Sequence, residues 1–292
     1  MVKIASNGIE LEVERFGQGE PIVLIMGLGS QMIQWHEDFC AELADEGFEV
    51  VRFDNRDIGL STHLDHLGTP NVRRVVARGY LGLPVRAAYT LTDMALDVAG
   101  LIDALGFERA HVVGVSMGGM IAQRLTLDRP DKVRSLTSIM STTGSRRHGL
   151  ARPEALKALL APLPPTLEGR IENAVHIFRV LSGPGFPFDE DAIRDLAARS
   201  YARSFHPAGF IRHLCAISAA SSREKELRAV RTPTTVIHGT HDPLVPASAG
   251  IATARAVPNA RLQWIEGMGH SLPRGAWPEI IRSIVDNARR RA

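Results

Sequence analysis

The stretch His111-Val-Val-Gly-Val-Ser-Met-Gly-Gly-Met120 sets an apolar run against a single hydroxyl, that of Ser116, with glycines on both sides. The valine-rich run predicts a buried strand over Ala110–Val115, and Met120–Leu127 has helical spacing. Ser116 would therefore lie in a sharp strand-to-helix turn of the form G-x-S-x-G, which pushes the hydroxyl out as a nucleophile. A glycine-rich helix start or a packing site for small residues would give the same letters.

The rest of the chain alternates between strands and helices. Leu91–Leu105 predicts an amphipathic helix, with Thr92 as its cap and Gly106 as its stop. This alternation favours a mostly parallel sheet that is covered by helices on both faces. The other strand-length apolar runs are Ile9–Phe16, Ile22–Met26, Glu49–Phe53, Val133–Met140, Thr234–His238 and the weaker Arg261–Ile265.

The alternation breaks over residues 143–227, where the pattern becomes helical and is interrupted by proline and glycine. Strand patterns resume at Thr234 and complete the alternation. We therefore expect a helical cap at 143–227, carried as an insertion on a core made of residues 1–142 and 228–292.

Composition limits the classes of partner. Of the 292 residues, 45% are hydrophobic and 23% are charged, and the net charge is +2, which favours a globular protein without a nucleic-acid or membrane partner. The two cysteines are far apart and do not suggest a disulfide framework. With no signal-peptide pattern and no run long enough to span a bilayer, we expect a cytoplasmic protein. No phosphate-loop or dinucleotide motif implies a cofactor, and the oligomeric state stays open.

A nucleophilic serine needs a base and an acid that orients the base. In strand-turn-helix sites of this kind the order along the chain is serine, acid, histidine. Asp242 follows the predicted strand Thr234–His238, and His270 is the last histidine of the chain. The loop after Val133–Met140 carries no carboxylate, so Asp242 is the preferred acid and His270 the base. Asp242 would also suit a simple turn before Pro243.

The oxyanion of a tetrahedral intermediate needs two donors. The backbone N–H of Met117, directly after the nucleophile, is one candidate. The loop after Ile22–Met26 supplies the other, and Gly27-Leu28-Gly29 points to the N–H of Leu28.

Two charged groups invite other interpretations. The run His238-Gly-Thr-His-Asp242 could be mistaken for a metal cluster. No further ligand follows it at a sensible spacing, so we predict no metal site. The segment from Asp54 to Asp57 is expected to form structural ion pairs rather than an acid-base site.

Three motifs carry a resemblance to a known family. They are Asp54–Ser61, Leu181–Asp189 and Gly267–Pro273, together with the turn at Ser116. Over nearly the whole chain the sequence resembles the α/β-hydrolase fold, and within it the bacterial serine esterases of the aclacinomycin methylesterase type. The resemblance implies the same roles for Ser116, Asp242 and His270 and for the N–H groups of Leu28 and Met117. Asp57 replaces a glycine and Met26 replaces a histidine that are common in the family.

The expected function is hydrolysis of small or moderately hydrophobic carboxylic esters through an acyl-enzyme. Phe186 and Phe188 in the insertion are the predicted pocket residues, although cap aromatics also serve to hold a cap together. Two alternatives remain open: a cofactor-free perhydrolase or haloperoxidase that uses the same triad, and a ligand-binding relative with little turnover.

Overall fold

A single eight-stranded sheet is present within residues 1–148 and 150–290, the part of the chain that the computed structural model describes. The strand order is β1-β2-β4-β3-β5-β6-β7-β8, and only the β1–β2 and β2–β4 pairs are antiparallel. The predicted mostly parallel sheet is therefore confirmed. The strands are β1 (Val2–Ser6), β2 (Ile9–Phe16), β3 (Glu20–Ile25), β4 (Phe48–Phe53), β5 (Ala110–Val115), β6 (Val133–Ile139), β7 (Thr234–Gly239) and β8 (Arg261–Ile265).

Successive side chains of β3 supply two hydrophobic cores, one on each face of the sheet. Val23 and Ile25 belong to the first core, whereas Ile22 and Leu24 belong to the second. Alternate residues of a strand point to opposite faces, so a strand that is covered on both sides must be apolar at every position. This requirement explains why β3 and β5 could be recognised as nearly continuous apolar runs.

Helices cover both faces. The first core packs against α3 and α4, and the second packs against α1 and α10. The helices within the described residues are α1 (Glu37–Asp45), α2 (Val72–Leu81), α3 (Leu91–Ala104), α4 (Met117–Asp128), α5 (Pro153–Leu159), α6 (Leu167–Leu181), α7 (Glu190–Arg203), α8 (Pro207–Ala219), α9 (Ala247–Ala256) and α10 (Trp277–Ala288).

Besides shifts of one or two residues at the ends of β3, β4, β6, β7 and α3, the elements differ from the prediction in three places. Strand β1 was not predicted, because it is a short and mostly exposed edge strand without a continuous apolar run. The predicted cap at Thr92 is wrong: Thr90 caps α3 through a capping box with Asp93. Helix α4 begins at Met117 rather than at Met120, because the turn at Ser116 leads directly into it.

Helices α5 to α8 lie between β6 and β7 in the chain, within the predicted insertion. Two buried ion pairs join this part of the chain to the loop after β4. The guanidinium of Arg212 on α8 holds Asp57 through two contacts of 2.7 Å, and Arg203 on α7 lies 2.6 Å from Asp54. The segment 54–57 therefore forms structural ion pairs, as expected, and the basic partners of its two aspartates are in the insertion.

The Arg212–Asp57 pair also explains a departure from the family pattern. Asp57 has φ +67°, a left-handed conformation that glycine adopts easily and aspartate less often. Burial acts to raise the pKa of Asp57, but hydrogen bonds from Arg212 and from the N–H of Leu64 outweigh it and hold the pKa at about 2. The ion pair with α8 thus offsets the strain at this position.

Substitution of Arg212 by Met should lower the free energy of unfolding by about 3–5 kcal/mol, because it leaves the buried Asp57 carboxylate without its cationic partner. The matched control Arg199→Met breaks an exposed pair with Asp195 and should cost less than about 1 kcal/mol. Urea unfolding at pH 7 measures both. Equal, small losses in the two variants would contradict this account of Asp57.

The same pair sets a pH dependence. Because the folded state depresses the pKa of Asp57, the stability that it contributes is present above the ordinary pKa of 3.8 and is lost as pH falls toward 2. Between pH 5 and pH 2.5 the stability difference between the native protein and Arg212→Met should therefore shrink. A difference that stays constant over this range would count against the ion pair.

Candidate active site

The turn at Ser116 is strained in the way the sequence indicated. Its backbone has φ +54° and ψ −117°, which few residues other than glycine adopt. The N–H of Ser116 donates to the carbonyl of Ile139 on β6 at 2.9 Å, and its own carbonyl accepts from Gly119 at 3.0 Å. The hydroxyl of Ser141 also donates to this carbonyl, at 2.7 Å. The backbone of Ser116 is thus fixed between β5, β6 and α4.

The glycines near Ser116 are required by close backbone contacts. A Cβ atom on Gly118 would collide with the carbonyl of Ile25 on β3, and one on Gly114 would collide with the backbone of Gly118. At Gly119 the nearest atom to an added Cβ is the Cβ of Ser141, at 2.6 Å. These contacts let α4 start directly against β3, so that Ser116 stands at the carboxyl end of β5.

His270 and Asp242 complete a chain of hydrogen bonds to Ser116. The Nε2 atom of His270 lies 3.0 Å from Oγ of Ser116, and its Nδ1 atom lies 2.7 Å from Oδ2 of Asp242. The second oxygen of Asp242 accepts from the N–H groups of Leu244 and Val245, at 2.9 and 2.8 Å. A buried carboxylate held in this way keeps Nδ1 of His270 protonated and leaves Nε2 free to accept the serine proton.

A second histidine supports the acid loop and was not predicted to do so. The Nε2 atom of His238 lies 2.9 Å from the carbonyl of Val245 and 3.7 Å from Asp242. Burial lowers the pKa of His238, so the ring is neutral and Nε2–H donates to Val245. Its position four residues before Asp242 is the only sequence signal for this role.

The loop that carries His270 rests on the insertion. The N–H of His270 donates to the carbonyl of Leu181 at 2.7 Å, and the N–H of Gly185 donates to the carbonyl of Gly267 at 3.0 Å. A Cβ on Gly183 would collide with Gly267. The motifs Leu181–Asp189 and Gly267–Pro273, which are far apart in the sequence, therefore pack against each other.

Of the two predicted oxyanion donors, Met117 follows Ser116 in the chain, and Leu28 lies in a loop that contacts the serine. Gly27 is in contact with Ser116, since a Cβ added to Gly27 would lie 3.3 Å from the Cβ of Ser116. Leu28 follows Gly27, and Met117 begins α4. Within residues 1–148 and 150–290, neither the N–H of Leu28 nor that of Met117 donates a hydrogen bond to another protein group. Both groups are therefore available to an oxyanion.

A family model described as the alpha/beta hydrolase fold matches residues 20–273, which is more than half of the chain. The chain belongs to the α/β-hydrolase family. The fold and the family that the motifs predicted are thus confirmed.

Several α/β-hydrolases resemble the chain over most of its length. Rhodomycin D methylesterase DauP of Streptomyces sp. (strain C5) is 29% identical over 290 residues, which cover 92% of this chain and 91% of that protein. Rhodomycin D methylesterase DnrP of Streptomyces peucetius is 28% identical with the same coverage. A solved meta-cleavage product hydrolase from Pseudomonas fluorescens IP01 superposes with a TM-score of 0.75 at 20% identity, covering 98% of this chain and 97% of that one. The last likeness concerns the fold alone.

In this α/β-hydrolase the cap aromatics do not form one group. Phe186 packs against the second core beside Gly275, and Phe188 lies under the guanidinium of Arg179, 4.6 Å from the ring centre. Phe210 on α8 lies against Gly29, next to the oxyanion loop. No contact with Ser116 is seen for Phe186 or Phe188 in the described residues, so their role as pocket residues stays a prediction.

Among the described residues, one cluster of side chains could hold a metal ion. None of its members is Ser116, Asp242 or His270. It consists of His63, Asp65 and His206. Arg212 places a guanidinium nitrogen 3.0 Å from Nε2 of His206 and 3.2 Å from Asp65, so a cation already occupies this position. Within the same residues, no helix is long and apolar enough to cross a membrane.

Proposed function

We propose that this protein hydrolyses carboxylic esters through a Ser116–His270–Asp242 triad. The observation that carries the proposal is the continuous hydrogen-bonded chain from Asp242 through His270 to the hydroxyl of a strained serine. The methylesterase relatives, which share this fold over nine tenths of the chain, support ester chemistry rather than another reaction of the family.

The proposed reaction has two halves. His270 takes the Ser116 proton at Nε2 while the serine oxygen attacks the ester carbonyl, and the N–H groups of Leu28 and Met117 stabilise the oxyanion. The carbon–oxygen bond of the ester then breaks, and His270 returns the proton to the departing alcohol. In the second half a water molecule gives a proton to His270 and attacks the acyl-enzyme. The bond between the acyl carbon and Oγ of Ser116 then breaks, His270 returns the proton to Oγ, and the acid is released.

We propose small or moderately hydrophobic esters as substrates, and methyl esters as the first class to test. The relatives DauP and DnrP are named as methylesterases. Phe186 and Phe188 remain the proposed pocket residues of the cap.

We also propose that residues 143–227 act as a cap over the core formed by 1–142 and 228–292. The hydrogen bonds of Leu181 to the His270 loop and the ion pairs of Arg203 and Arg212 support this division. The cap thus contacts the elements that carry the base and the oxyanion hole.

Substitution of Ser116 by Ala should lower kcat for an aryl ester by about 10⁶, because the nucleophile is lost. Asp242→Asn should lower kcat by on the order of 10⁴, since His270 then loses its oriented tautomer. Steady-state kinetics measures both, with peroxide-dependent bromination assayed in parallel. Near-native ester turnover by Ser116→Ala would refute the triad, and bromination far above ester turnover would favour the perhydrolase alternative.

Substitution of Phe186 or Phe188 by Ala should change the acyl-length preference if these rings border the acyl group. A panel of aryl esters with increasing acyl length, and one methyl ester of a bulky polycyclic acid, measures the change as ratios of kcat/KM. Phe205→Ala is the matched control, because that ring is exposed and stacks with Arg170. A profile that is unchanged in both cap variants would remove them from the pocket.

A further inference from the structure

His213 on α8 joins the cap to the loop that carries the Leu28 N–H. Its ring is fully buried, and both of its nitrogens contact the backbone. The N–H of Gly29 donates to Nδ1 at 3.3 Å, while Nε2 lies 2.8 Å from the carbonyl of Arg56. A carbonyl can only accept, so Nε2 carries the proton and Nδ1 is the acceptor.

The contacts require this ring to be neutral. An imidazolium would place a second N–H against the N–H of Gly29. Burial lowers the pKa of His213 to about 4, so the neutral ring is present at pH 7. Its single neutral tautomer satisfies both backbone groups at once.

The turn at Gly27–Ser30 depends on the orientation of the peptide that His213 binds. The N–H of Ser30 donates to the carbonyl of Gly27 at 3.3 Å, and Gly29 has φ +65°, which together describe a type II turn. A type I turn would reverse the peptide between Leu28 and Gly29 and point a carbonyl at the lone pair of His213. The histidine therefore selects the type II form.

Other contacts fix the ends of the same loop. The side-chain amide of Asn55 donates to the carbonyl of Met26 at 3.0 Å, and the N–H of Met32 donates to Asp54 at 2.7 Å. The centre of the loop is held from α8, by His213 and by the ring of Phe210 against Gly29.

We propose that His213 is a positioning residue for the oxyanion hole, which acts by holding the Gly27–Ser30 turn so that the N–H of Leu28 faces Ser116. The inference rests on the proposed ester hydrolysis. It makes the oxyanion hole dependent on the docking of a cap helix, although its donors belong to the core.

Two conservative variants separate the two hydrogen bonds of the ring. In His213→Asn the amide oxygen can replace Nδ1 as acceptor for Gly29, whereas in His213→Gln the amide nitrogen can replace Nε2 as donor to Arg56. We expect His213→Gln to lower kcat by on the order of 10-fold with KM changed less than about twofold, because the oxyanion forms only in the transition state. In His213→Asn, kcat should stay close to that of the native protein.

Cys215→Ala is the matched control for lost burial on α8. This side chain is buried and free, so its truncation should lower the melting temperature and leave kcat unchanged. If His213→Gln keeps native kcat, or if kcat falls in all three variants in proportion to stability, the positioning role is wrong.

A ¹⁵N NMR measurement of the histidine rings separates this inference from the proposed function, because it needs no substrate. At pH 7 the ring of His213 should show a protonated Nε2 and an unprotonated Nδ1. A protonated Nδ1 would overturn the inference whether or not the protein hydrolyses esters. Absence of ester turnover in the native protein, with the expected tautomer present, would instead refute the proposed function.

Discussion

The backbone of Ser116 is the constraint on which the rest of the site depends. A residue with φ +54° at the end of a buried strand can be held only if the helix that follows starts at once and packs closely. The collision that a Cβ on Gly118 would have with Ile25 shows how close this approach is. The same geometry aims the serine hydroxyl at the carboxyl edge of the sheet, and the N–H of Met117 has no acceptor among the residues that the structure describes.

The edge where Ser116 lies is also where the other components meet. Parallel strands present their carboxyl ends on one side, so the loops after β3, β7 and β8 bring Leu28, Asp242 and His270 toward the serine. Residues between β6 and β7 contact all three of these loops. Leu181 binds the backbone of His270, and His213 bridges Gly29 and Arg56. The proposed site and the helices between β6 and β7 are thus linked by hydrogen bonds to backbone groups.

Features could be predicted from the sequence where the signal lies within a short stretch or where one residue is the single candidate. The strand β5 and the turn at Ser116 lie within one short stretch, and His270 could be chosen because it is the single histidine after Asp242 in the sequence. The bounds of β2, β5 and β8 were predicted to the residue, since each is apolar or alternating up to a clear stop. The family and the class of chemistry followed from the same motifs.

Features that depend on distant partners could not be predicted. His213 is separated from Gly29 by most of the chain, and nothing near it in the sequence distinguishes it from a core histidine. Asp57 was expected to form structural ion pairs, but its partner Arg212 lies in the insertion. The N-cap at Thr90 is a local feature that was missed, although the spacing Thr90-x-x-Asp93 is the pattern of a capping box.

The central claim is that the hydroxyl of Ser116 is the nucleophile, activated by His270. Reaction with a fluorophosphonate, followed by intact mass measurement and peptide mapping, tests it most directly. A new phosphorus–oxygen bond to Ser116, with loss of fluoride, should give one adduct per chain on the peptide that contains Ser116, and none in Ser116→Ala. An adduct on another residue, or equal labelling of Ser116→Ala, would contradict the account.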